Sequence, residues 1–131
     1  MGYYTKHKLT MEGKDAQAFF EANRDVIAFA LDEHIKKADD PVYYYDFDGI
    51  YGACFDHEHW NGGSGCKFYN NAEQFTIISK LFPDETFILE GVGEEHCPPY
   101  SFDHWHKTFK GGELIKRDWE INDAEEPTWY Y

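Results

Sequence analysis

A chain of 131 residues with 25 acidic against 12 basic side chains, a formal net charge of −13, reads as one domain with a strongly negative surface. That balance argues against direct binding of nucleic acid or of anionic membranes, which needs clustered Lys and Arg, and it favours a basic partner. Hydrophobic residues at 42% and aromatics at 19% exclude a disordered chain, and no apolar run approaches the roughly 18 residues of a membrane span.

The N-terminal stretch has no continuous apolar segment. Lys6 stands where a myristoylation signal has Ser or Thr, so a cytoplasmic chain is expected. Cys54, Cys66 and Cys97 include no CxxC pair, which predicts reduced thiols rather than a disulfide framework.

In chain order, residues 3–11 alternate as a strand, with Tyr3, Thr5, His7, Leu9 and Met11 on one face, and Gly13 breaks it. From Asp15 to about Ala38 the pattern is helical. Phe20, Ile27, Leu31 and Ile35 share a face that Phe19, Val26 and Ala30 widen. Asn23 can cap a second segment, giving two helices with a bend, and Asp39, Asp40 and Pro41 end the run. Aromatic and β-branched content predicts a strand over 42–47, a loop over 48–65 and a strand over 66–69. Asn70 with Glu73 makes a capping box before Phe75, Ile78, Leu81 and Phe82 at helical spacing, and Pro83 stops that helix.

Residues 86–92 read as a buried strand and 104–121 as a hairpin about Gly111-Gly112. A three-residue loop keeps Trp105, Lys107, Phe109, Ile115, Arg117, Trp119 and Ile121 on one side, so that loop is expected. Residues 122–131 form an acidic, then aromatic tail. The expected fold is α+β: a single antiparallel sheet with two helices on one face, a ferredoxin-like variant with an added C-terminal hairpin.

The stretch "CFDHEHWNGGSGCKFY" concentrates the polar chemistry. His57 and His59 are two residues apart, as are His104 and His106, and in extended backbone each pair points one way. Asp56, Glu58, His96 and Cys97 offer further donors. Zinc spacings such as CxxC and HExxH are absent, so these histidines are candidates against a plainer reading as polar residues at a sheet edge, and no cofactor is expected. "NGGSGC" lacks the Lys-Ser/Thr ending of a phosphate loop and precedes a strand, and in "GVGEE" two glutamates occupy the phosphate position. Both read as turns. No base is fixed beside a thiol and no nucleophile elbow exists, so no catalytic residue is assigned and the chain is not expected to be an enzyme.

"MGYYT", "CKFYNNAEQFTIISKLFPDETFILEGVGEE" and "HWHKTFKGGEL" together resemble a family of small uncharacterised phage and prophage proteins. The likeness covers residues 1–5 and roughly 66–114, about half of the chain. Its motifs are structural and carry no catalytic residue across. The chain departs from it over 46–64 and in "HCPPYSFDHWH". The resemblance implies an inhibitor of host machinery acting in the host cytoplasm, presenting carboxylates where phosphates would go.

Joined to the charge, this predicts a module that binds and inhibits a basic host protein, of the nucleic-acid-binding or defence type, and it leaves a dimer open. The expected contact residues are Asp46, Asp48, Asp56, Glu58, Trp60, Glu94, Glu95, Tyr100, Asp103 and Trp105. The plainer alternative for the charge is solubility alone. A second hypothesis is a binder or sponge for a nucleotide signal, with Tyr43, Tyr45, Trp60, Tyr100 and Trp105 stacking on bases and Lys107, Lys110, Lys116 and Arg117 meeting phosphates. A metal-dependent enzyme on the histidine pairs is the third.

Overall fold

The structure, a computed structural model, describes residues 5–39, 41, 44–56, 68, 70–93 and 104–119. Strands β1 (Thr5–Met11), β2 (Phe87–Gly93), β3 (His104–Lys110) and β4 (Glu113–Trp119) form one antiparallel sheet in the order β1-β2-β3-β4. Helices α1 (Ala16–Ala22), α2 (Arg24–Lys37), α3 (Phe47–Phe55) and α4 (Asn71–Leu81) all lie in the connection from β1 to β2. The α+β class with a single antiparallel sheet and a C-terminal hairpin is as expected. Among the described residues the helices number four rather than two: the 15–38 run divides at Asn23, and α3 stands where a strand and a loop were expected. Among the described residues each strand pairs with its chain neighbour, in place of the interleaved ferredoxin-like order that was expected.

The main reason is local. Asp46 Oδ1 accepts from the backbone N–H of Gly49 at 2.8 Å, which caps α3. Behind the cap, Phe47, Ile50, Ala53 and Cys54 fall on one helical face and are buried. This cap overrides the aromatic bias that suggested a strand to residue 47. The strand expected over 66–69 lies outside the described residues except for Phe68, which is buried.

Alternation in β1 buries His7, Leu9 and Met11, and the register with β2 (His7 with Gly91, Leu9 with Leu89, Met11 with Phe87) extends that face across the sheet. Phe109 of β3 continues it. The helices cover this face, with Phe20 fully buried among Phe47, Phe55, Phe75 and Phe87 at ring-centroid distances of 5.6–6.4 Å. Burying each such ring stabilises the fold by about 1.5–3 kcal/mol.

Three details differ from expectation. Asn23 does mark a bend, but its Nδ2 donates to the carbonyl of Phe19 at 2.9 Å, closing α1 rather than opening α2. Asn70 makes no side-chain cap. Glu73 instead accepts from the Tyr44 hydroxyl at 2.6 Å and lies 2.6 Å from His34 Nε2.

The hairpin turns on two residues, Gly111 and Gly112, at φ of 62° and 84°, conformations that suit glycine and match the strand twist. A bulge at Ile115 then pairs Thr108 with Lys116, Lys107 with Arg117 and Trp105 with Trp119, which restores the expected shared side for those odd-numbered positions. Leu114, not Ile115, sits opposite Phe109, and Ile115 is 54% exposed.

Candidate functional site

Trp105 is not a surface anchor. It is 6% exposed on the helix-covered face, where the indole lies across Gly91, edge-on to His7 at 5.9 Å. Lys107 Nζ sits 4.4 Å from the Trp105 ring centroid and donates to Asn71 Oδ1 at 2.7 Å. Burial, with the nearby charge of Arg117, pushes the Lys107 pKa down to about 8. His7 is pushed down to about 3, by burial first and then by the Lys107 charge, so it is neutral in the core.

The nucleotide-binding alternative loses groups on this account. Tyr45 is half-buried, stacked on Phe68 at 4.9 Å, with its backbone N–H and carbonyl both held by the Gln74 amide. Lys107 and Arg117 belong to the helix-covered face, whereas Lys116 is on the opposite one, 3.4 Å from Asp118. The basic cluster is thus divided between two faces. Tyr43, Trp60 and Tyr100 lie outside the described residues.

Of the carboxylates expected to meet a partner, Asp46 caps α3 and Asp48 occupies its first turn, where it pairs with Arg24 at 3.0 Å. Asp56 caps the other end of α3 and is half-buried. Glu58, Glu94, Glu95 and Asp103 lie outside the described residues, as do His57, His59, His96 and Cys97.

Asp46 and Asp48 line a groove between α2 and α3 with Asp25, Ala28, Asp32 and Phe47, and Arg24, the partner of Asp48, is the one cation among the described residues of that lining. On the outer side of α2, Phe29 is 70% exposed and Val26 52% exposed. Asp25 and Asp32 flank Phe29 one helical turn away on either side. Val26 was expected in the core and is not, because Ile27 and Leu31 take the buried side of α2, which packs against α4 and α3. At 100° per residue Phe29 points about 180° from that pair, a signal already present in the sequence.

The opposite face of the sheet carries a second cluster. Glu90 of β2 pairs with His106 of β3, and His104 lies diagonally across from it. His104 Nε2 is 2.5 Å from Glu90 Oε2, and His106 Nε2 is 3.4 Å from Glu90 Oε1. Burial alone would raise the Glu90 pKa, but the hydrogen bonds and charge of His106 and His104 outweigh it and hold the carboxyl below its ordinary range. Two of the four candidate histidines are thus joined by a carboxylate that the sequence did not single out. No helix of the described residues is long and apolar enough to cross a membrane.

Comparisons of the chain with family models, curated proteins and solved structures give no match.

Proposed function

We propose that the chain is a phage-type acidic protein that binds and inhibits a basic, nucleic-acid-binding host protein through the outer face of α2 and α3. The observation that carries this reading is Phe29, 70% exposed between Asp25 and Asp32 beside a groove that Asp46 and Asp48 also line. An exposed aromatic flanked by two carboxylates fits a basic protein surface: the ring supplies a desolvated anchor, and the charges steer the encounter and set its register. A partner that normally grips phosphates presents Lys and Arg, so carboxylates seated on them would compete with nucleic acid. The phage-type part of the reading rests on the resemblance of residues 1–5 and 66–114, and the basic partner on the net charge of −13.

The test begins with affinity capture at low salt from cells expressing the chain. The recovered partner is then titrated against the parent and against a variant carrying Asp25→Asn, Asp32→Asn, Asp46→Asn and Asp48→Asn. Asparagine preserves the helix cap at position 46. The variant should bind more weakly and with a flatter salt dependence. Equal affinity at every salt concentration would remove this surface from the account.

A further inference from the structure

We propose that Glu90, His104 and His106 form a binding site for a divalent transition-metal ion of the zinc type, on the sheet face opposite the helices. This is independent of the partner surface, which is built on the helix layer.

The strand register supplies the first argument. His104 and His106 are two apart on β3, so both imidazoles project from one face, and Glu90 pairs directly with His106. Nothing in this juxtaposition depends on a loop. The ligating atoms of the three side chains all lie within 4.8 Å of one another. An ion bonded at 2.0–2.1 Å in a tetrahedron holds its donors about 3.3 Å apart. The two contacts to Glu90, at 2.5 and 3.4 Å, bracket that spacing, so side-chain rotation alone can admit an ion.

Burial supplies the second. The His104 side chain is 4% exposed, Glu90 17% and His106 28%, so the cluster is closed at one end and open to solvent at the other. Such a graded site takes an ion from the His106 side and leaves a coordination position for water. Two imidazoles and one carboxylate are a donor set suited to zinc and its late first-row neighbours, and poorly suited to calcium or magnesium, which favour oxygen.

The neighbouring charges are mixed. Lys8 of β1 stands beside Glu90 and opposes a cation, whereas Asp118 of β4 stands beside His106 and favours one. Asp118 is also 3.4 Å from Lys116 Nζ. The competing account is a metal-free cluster in which the two imidazoles simply partner the half-buried carboxylate.

The experiment separates the two. Chelator-treated full-length protein is titrated with Zn2+ by calorimetry and with Co2+ by visible absorption, and its melting is followed with and without Zn2+. One ion should bind per chain at micromolar concentration or below, and Zn2+ should raise the melting temperature. His106→Gln and Glu90→Gln should each weaken binding at least about tenfold, whereas a His57→Gln/His59→Gln variant should bind as the parent does. His104 is too buried to substitute safely, so the two more exposed ligands carry the test. Absence of binding, or affinity unchanged in both His106→Gln and Glu90→Gln, would overturn the site. Loss of binding confined to the His57→Gln/His59→Gln variant would overturn it equally.

Discussion

The indole of Trp105 lies so close over Gly91 that a Cβ added to that glycine would stand 2.1 Å from Trp105 Cζ2. Glycine is required there for the approach of a neighbouring ring rather than for an unusual backbone. Gly91→Ala should therefore cost about 2 kcal/mol or more through overpacking. Denaturant unfolding measures it. Combined with Trp105→Phe, the loss should be smaller than the sum of the two single losses, because the substitutions share one contact. Additive losses would mean that the ring is free to move aside.

His7 sets an acid limb on stability. Its folded pKa of about 3 lies below the unfolded value of 6.5, so the unfolded chain binds the extra proton first. Stability should fall as pH drops below about 6.5, by about 2 kcal/mol between pH 8 and pH 5, before most carboxylates titrate. In His7→Gln that part of the slope should largely vanish. An unchanged slope in urea midpoints from pH 8 to 5 would assign the acid sensitivity elsewhere.

Asp46 has a structural duty that its chemistry separates from any binding duty. Asp46→Ala removes the acceptor for the Gly49 N–H and should cost about 1 kcal/mol, a fall of about 4 °C in melting temperature. Asp46→Asn should cost much less. If both variants melt alike, the cap contributes nothing and the start of α3 is held by packing alone.

Phe20 and Phe29 test the division between core and contact surface. Phe20 is fully buried, and Phe20→Ala should cost about 3–5 kcal/mol. Phe29→Ala should change stability by less than about 0.5 kcal/mol, as a solvent-facing ring does. A large destabilisation by Phe29→Ala would make Phe29 part of the fold rather than a contact residue.

Much of this architecture was legible before any coordinates. The period-two pattern of His7, Leu9 and Met11, the spacing of Phe75 and Ile78 with Pro83 behind it, and the Gly111-Gly112 turn each have one local reading. Helix α3 did not, because Tyr44, Tyr45 and Phe47 have strand-like bias and a single aspartate cap reverses it. The bulge at Ile115 was hidden for a related reason: a two-residue turn plus a bulge restores most of the face pattern expected of a three-residue loop. Glu90 was invisible as a site residue because its partnership with His104 and His106 depends on the pairing of β2 with β3, not on any spacing within one segment. Phe29 was legible too, since at 100° per residue it falls opposite the face that Ile27 and Leu31 share, but the reading of that helix named only its buried side.

The most direct test of the partner surface is an amide-shift map. Isotope-labelled protein is titrated with its captured partner, and backbone shifts are followed residue by residue. Perturbations should concentrate on Asp25, Val26, Phe29 and Asp32 of α2 and on Asp46 and Asp48 at the start of α3. Perturbations confined to the strands and α4, with α2 unchanged, would contradict the account.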